Sequence, residues 1–294
     1  MASHLEKILD GVREDLRRRK AATPYTAVLE LAKRVRKRRN IRDRLGGGPG
    51  IIAEIKRASP SRGWIRKDLD AAKTARAYAR GGACAVSVLT ETRYFGGTLE
   101  DLSRAGKACG TVPALRKDFI LDEYMIAESR AFGADLVLLI VAVLGKETGR
   151  LVQEAASLGM EALVEVHNQE EMDFAADSGA TIVGINNRDL STLRVDLDTS
   201  RRLLPMAPPD AIKVVESGIT SPSEIREFHQ GGGERNHVSF GNQGIPRDGS
   251  GRISCWGGAR AGGRPLRGLA IVKGRQHKSE SLNREVVVGD QDHT

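Results

Sequence analysis

The stretch PALRKDFILDEYMIAESRAFGADLVLLIV, residues 113–141, holds the key to the architecture. A short apolar run ends in charge at Arg116-Lys117-Asp118, a polar break follows, then an amphipathic segment rich in Ala, then a second apolar run. This is the signature of a strand, a helical crossover and a parallel strand. Outward from it the same unit recurs between Gly50 and Gly218: strand-like runs fall at 51–56, 85–89, 113–117, 136–141, 162–166, 182–186 and 213–217. Helical segments lie between and after them at 70–80, 99–109, 123–132, 145–158, 169–178, 198–204 and 221–229. Seven units at roughly 20 to 35 residues each predict an α/β fold, a (β/α)8 TIM barrel. A doubly wound open sheet is the competitor, but no Gly-x-Gly-x-x-Gly follows the first strand and the unit is too regular for it. Residues 1–48 precede the barrel as a helical extension with segments at 5–20 and 25–39, and Gly46-Gly47-Gly48-Pro49-Gly50 forms the hinge. The extension is placed to cap the barrel or border its mouth.

Composition narrows the function classes. The 294 residues are 40% hydrophobic and 29% charged, enough for a real core, and the longest apolar run, 136–144, is too short to span a bilayer. Met1-Ala2-Ser3-His4-Leu5-Glu6-Lys7 carries no apolar leader, which points to a cytoplasmic location. Three scattered cysteines, Cys84, Cys109 and Cys255, build neither a disulfide framework nor a zinc cluster, so no metal is expected. The net charge of +8 includes Arg17-Arg18-Arg19-Lys20 and the cluster from Lys33 to Arg39. Without aromatic residues for stacking these read as solvated helix faces, and neither nucleic acid nor a membrane is the expected partner.

The chemistry falls at the strand ends, where the loops of a parallel barrel line its C-terminal mouth. Glu54 and Lys56 alternate with Ile55 and so point to one side of the first strand, the barrel interior. Lys117 ends the third strand, Glu165 lies in the fifth, Asn186-Asn187-Arg188 end the sixth, and Glu216-Ser217-Gly218 end the seventh. A single such charge suits an ion pair closing the barrel top; five strands bearing them suit catalysis. Lysines with a depressed pKa can serve as general acids and a glutamate with a raised pKa as a base, and Lys56, Lys117 and Glu165 are the candidates. Ser217-Gly218 suits phosphate, which parallel barrels commonly bind after strands seven and eight.

These residues resemble one family, the indole-3-glycerol phosphate synthases. The resemblance is carried by Ile52-Ala53-Glu54-Ile55-Lys56-Arg57-Ala58-Ser59-Pro60-Ser61, by Ser87-Val88-Leu89-Thr90-Glu91 with Phe95-Gly96-Gly97, and by Leu115-Arg116-Lys117-Asp118-Phe119-Ile120. It continues through Glu161-Ala162-Leu163-Val164-Glu165-Val166-His167, Gly184-Ile185-Asn186-Asn187-Arg188-Asp189-Leu190 and Val215-Glu216-Ser217-Gly218-Ile219, covering about 5–230. It implies ring closure of 1-(2-carboxyphenylamino)-1-deoxyribulose 5-phosphate to indole-3-glycerol phosphate, with loss of carbon dioxide and water and without a cofactor. The partner is thus a small phosphorylated substrate, with other tryptophan-pathway enzymes as the protein partners to consider. By the same resemblance Lys117 is the general acid, Glu165 and Lys56 handle the proton transfers of dehydration, and Glu54 holds the lysine and a substrate hydroxyl. Asn186 and Arg188 orient hydroxyl and carboxylate, Glu216 closes the polar ring, and Phe119, Leu138 and Pro60 line the aromatic pocket. Ser59, Ser217 and Gly218 serve the polar and phosphate end. His167, beside Glu165, is assigned a structural or loop role, on the ground that adjacent strand residues face opposite sides.

Past Gly231 the pattern stops, and 231–294 is Gly/Arg-rich with no convincing strand or helix periodicity. The eighth unit therefore reads as lost or replaced, and the tail as disordered or as translation in a shifted frame. Two further readings follow: an inactive remnant of the enzyme, or a nucleic-acid binder acting through the basic tail. A Schiff-base aldolase using Lys117 is a weaker enzymatic alternative, because it leaves Glu54 and Lys56 unexplained.

Overall fold

The computed structural model describes residues 3–35, 39–45, 49–230 and 268–272 of the chain. Eight parallel strands close into a barrel: β1 Pro49–Ile55, β2 Ala85–Leu89, β3 Ala114–Lys117, β4 Leu136–Ile140, β5 Glu161–Val166, β6 Ile182–Asn186, β7 Ile212–Glu216 and β8 Gly268–Val272. Strands β2, β4, β6 and β7 are buried at every residue, and β4 reads as an unbroken apolar run. One face packs inside the barrel and the other lies under the helices.

The helices are α1 His4–Ala22, α2 Tyr25–Arg34, α3 Ala71–Arg80, α4 Leu99–Ala108, α5 Glu123–Ala131, α6 Val141–Leu144, α7 Thr148–Ser157, α8 Gln169–Asp177, α9 Asp198–Leu203 and α10 Pro222–Gln230. Six of them start at a side-chain cap: Ser3, Asp70, Thr98, Asp122, Asn168 and Ser221 each accept a backbone N–H from the first turn. Observed ends lie within one or two residues of the sequence reading, with two exceptions. The segment expected at 145–158 opens as a 3-10 turn at Gly145–Glu147 before α7. The segment expected at 25–39 leaves the helix at Val35, whose backbone is extended, and Arg39 then turns to Asp135 (Nε to Oδ2, 2.6 Å).

The extension serves both ends of the barrel. At the mouth, α1 meets the loop after β2 and the first turn of α5: Arg93 donates to Glu14 at 2.8 Å and to Asp15 at 2.7 Å, while the Tyr124 hydroxyl donates to the Arg19 carbonyl at 3.1 Å. At the opposite end the Arg39 backbone N–H donates to Asp135 at 3.0 Å and Arg42 to the Thr181 carbonyl at 3.0 Å, each just before a strand begins. Ile41, fully buried, joins the core there.

The eighth position is filled from the divergent segment. Gly268–Val272 lies between β7 and β1, and Ala270 is in register with Val215 on one side and Ile51 on the other. The expectation of no strand signal beyond Gly231 is corrected here. Five apolar or small residues suffice for a strand when both neighbours offer free edges, although they are too few to show a period. Residues 231–267 and 273–294 lie outside the described residues, and with them the readings of disorder, frame shift and nucleic-acid binding.

Candidate active site

The C-terminal ends of the strands bring together Glu54 and Lys56 from β1 and its exit, Lys117 from β3, Glu165 from β5, Asn186 from β6 and Glu216 from β7. Apart from Lys56, which follows β1, they lie in buried strands, so these polar groups are desolvated, and Glu54, Glu165 and Glu216 are each at most 2% exposed. Such burial is tolerated only with partners. Lys56 Nζ pairs with Glu54 Oε1 at 2.7 Å. Lys117 hydrogen-bonds Glu216 and stands 3.8 Å from Glu165 Oε2. Asn186 Nδ2 donates to Glu165 Oε1 at 3.1 Å. Gly184, one turn of the pleat below Asn186, makes room for this ring: a Cβ there would sit 3.1 Å from Glu216 Oε1.

The electrostatics invert the sequence expectation. Burial pulls the Lys117 ammonium down, but the carboxylates of Glu216, Glu165 and Glu54 outweigh it and hold the lysine protonated, above its ordinary value. Burial pushes Glu165 up, yet His167, Lys117 and Asn186 together hold it well below the usual carboxylate range. Glu216 is the carboxyl that is raised: burial and the nearby carboxylates of Glu165 and Glu54 exceed the pull of the Lys117 ammonium. Lys117 is therefore a lysine kept charged, and Glu165 is a carboxylate kept ionised. Among the described residues Glu165 and Glu216 each retain a buried oxygen with no hydrogen-bond partner, Glu165 Oε2 and Glu216 Oε1.

Around this ring Phe119 is buried and its centroid lies 6.3 Å from Phe95, with planes tilted by 43°. Leu138 is buried on β4, Ser59 is buried in a short hairpin of Ala58–Ser59 with Gly63–Trp64, and Pro60 is half-buried at its turn. Arg188 is half-buried, and its Nη1 donates to the Leu193 carbonyl at 2.8 Å. Among the described residues it makes no ion pair, and burial followed by the neighbouring Arg62 lowers its pKa. At the end of β7, Ser217 and Gly218 take successive positive φ angles of 65° and 85°. That backbone is costly for serine. Glycine is required at position 218, where a Cβ would lie 2.5 Å from Val195.

Two residues lacked an assigned role in the sequence reading, and a third had been given only a structural or loop role. Ser87 is buried on β2, in register with Glu54, and its hydroxyl has no hydrogen-bond partner among the described residues. Glu91 accepts the backbone N–H groups of Arg93 (2.9 Å), Tyr94 (2.7 Å) and Phe95 (3.0 Å), fixing the loop that carries Phe95. The third is His167. Lying two residues after Glu165, it shares that residue's side of the strand, and its Nε2 stands 3.4 Å from Glu165 Oε1. The opposite-face argument holds for immediate neighbours only.

The Phe95 loop yields a first test. A Cβ on Gly97 would lie 2.0 Å from the Leu89 carbonyl oxygen, a backbone atom of β2 that cannot yield. Gly97→Ala is expected to lower unfolding free energy by about 1–3 kcal/mol, read by thermal or denaturant melting. Unchanged melting would remove this close approach as a constraint.

Among the described residues no helix is long and apolar enough to cross a membrane. Compared with known proteins, residues 5–238 match the family model for indole-3-glycerol phosphate synthase. An indole-3-glycerol phosphate synthase of Kineococcus radiotolerans is 46% identical over 237 residues, covering 78% of this chain and 86% of its own length. The enzyme of that name from Mycolicibacterium vanbaalenii is 45% identical over 250 residues, covering 84% and 92% respectively. Among solved structures, KGPDC from Streptococcus mutans superposes with a TM-score of 0.50 at 14% identity, over 69% of this chain and 91% of that one, a likeness of fold alone.

Proposed function

The chain belongs to the indole-3-glycerol phosphate synthase family, and from that premise we propose how its ring of charges performs the family's reaction. The enzyme is a carbon–carbon lyase of tryptophan biosynthesis acting on a small phosphorylated substrate. The ring carbon that bears the substrate's carboxylate attacks the ketose carbonyl carbon. The bond to the carboxylate then breaks, releasing carbon dioxide and restoring the aromatic ring. Loss of water from the resulting carbinol gives the indole.

The observation that carries the assignment is the Lys117 ammonium, held protonated between Glu216 and Glu165. It gives its proton to the ketose oxygen as negative charge develops there. Glu165, ionised and with Oε2 free of hydrogen bonds among the described residues, takes a proton from the methylene carbon beside the carbinol as water departs, while Lys56, held by Glu54, protonates the leaving hydroxyl. Glu216 returns Lys117 to its charged state and fixes its position. Asn186 orients Glu165, Phe119, Leu138 and Pro60 enclose the anthranilate ring, and Ser59, Ser217 and Gly218 take the polar and phosphate end. The test is indole fluorescence on adding the carboxyphenylamino-deoxyribulose phosphate to the purified chain, with carbon dioxide released in equal amount. A folded barrel that makes neither product would favour an inactive remnant.

Arg188 supplies a second test. A half-buried guanidinium without a carboxylate partner suits the substrate's carboxylate. A charged hydrogen bond contributes roughly 1.5–3 kcal/mol, so Arg188→Ala is expected to raise KM by about 10- to 150-fold with a smaller change in kcat. An unchanged KM would remove Arg188 from substrate binding.

A further inference from the structure

His167 follows β5 directly, and its imidazole is held at two points. Nδ1 lies 3.0 Å from Glu171 Oε2, the same oxygen that accepts the His167 backbone N–H at 2.8 Å. Glu171 is fixed in turn: its Oε1 accepts from Asn168 Nδ2 at 2.7 Å, and its backbone N–H donates to Asn168 Oδ1 at 2.9 Å in the cap of α8. A carboxylate anchored this way is an acceptor, so Nδ1 carries hydrogen.

That settles what can lie on the other side of the ring. Nε2 is buried, has no completed hydrogen bond among the described residues and faces Glu165 Oε1 at 3.4 Å. A neutral ring with hydrogen on Nδ1 would turn the Nε2 lone pair onto a carboxylate oxygen, two acceptors against each other in a desolvated site. A proton therefore occupies this gap. The structure assigns His167 as a positioning residue for the reaction's base: anchored by Glu171, it holds a proton against Glu165 Oε1 and leaves Oε2 directed at the substrate. This rests on the proposed role of Glu165 as that base.

The surrounding charges agree. Burial pulls the His167 imidazolium down, but Glu165 and Glu171 outweigh it and raise its pKa to about 10. Asp189, in the loop after β6, also acts on His167, and Lys117 and Asn186 share Glu165 with it. The sign is that of a histidine with a raised pKa. The ring is cationic throughout the neutral range and releases its proton only as pH rises through about 10.

The decisive experiment is imidazole nitrogen NMR on the full chain, with the His167 signals identified by their loss in His167→Gln. At pH 8 both ring nitrogens are expected to be protonated, and in Glu165→Gln the ring is expected to titrate at lower pH. A neutral His167 at pH 8 would overturn the inference. Kinetics supply the functional side. His167→Gln is expected to lower kcat about 10-fold or more with KM within about threefold, and to move the acid limb of the kcat profile to higher pH, because Glu165 loses a neighbouring cation. An unmoved limb would leave His167 a merely structural residue. If His167→Gln does not fold, Glu171→Gln takes its place: the one imidazole whose signals it moves is His167, and that ring is expected to titrate at lower pH, whereas an unmoved set of imidazole signals would overturn the inference. Glu165→Gln separates the two claims: full activity there overturns Glu165 as base, whereas an inactive Glu165→Gln beside an unaltered His167→Gln overturns only the role of His167.

Discussion

Lys117→Met is expected to lower kcat by about 10²- to 10⁴-fold, the range typical of a lost general acid. Methionine keeps the length and much of the volume of the side chain, so the loss isolates the ammonium. The variant should also be less stable, in a pH-dependent way. Glu165 and Glu216 then share a buried space with no cation between them, and the carboxyl of Glu216, already raised, rises further as it takes a proton to relieve the repulsion. A carboxyl whose folded pKa exceeds its unfolded value penalises the fold as pH climbs from the unfolded value through the folded one. The drop in Tm relative to the parent chain should therefore be larger at pH 8 than at pH 5. Indole fluorescence reads the first effect and paired melts the second. Retained turnover would transfer the acid role to Lys56, and an equal drop in Tm at both pH values would show that the two carboxylates do not interact through the gap.

The same residues show how much was legible beforehand. Seven strands could be read because each is buried on both sides and stands out as an apolar run between amphipathic helices, as at Leu136–Ile140. The site could be read because charge interrupts those runs at their C-terminal ends. What the sequence does not carry is who faces whom across the barrel. Lys117 and Glu216 are 99 positions apart, and their contact reverses the expected direction for the lysine. Glu165 reverses for the same reason, because its ionisation depends on His167, Lys117 and Asn186 arriving from three directions. The helix-capping role of Asn168 and Glu171 is local and was in principle readable from Asn168-Gln169-Glu170-Glu171. It would have pointed to His167.

Closure of the barrel gives the second large effect. Ala270→Pro is expected to remove most activity and a large share of the stability, although residue 270 belongs to a stretch with no family signature. Ala270 is in register with both Ile51 and Val215, so β8 is a central strand at that point, and proline there deletes a backbone donor and disturbs the pairing on its flanks. Each buried backbone group left without a partner costs about 1–3 kcal/mol, against a typical total of about 5–15 kcal/mol for a domain. Activity should fall with it for a geometric reason. The strands that β8 joins are β1, which carries Glu54 and leads to Lys56, and β7, which carries Glu216. Opening that seam separates the Glu54–Lys56 pair from the Lys117–Glu216 pair, and the ring of charges no longer converges on one substrate. Melting curves and indole fluorescence on Ala270→Pro, beside Ala270→Val as a strand-compatible control, check both effects. If both variants match the parent chain, β8 does not close the barrel, and the seven strands from β1 to β7 carry the reaction alone.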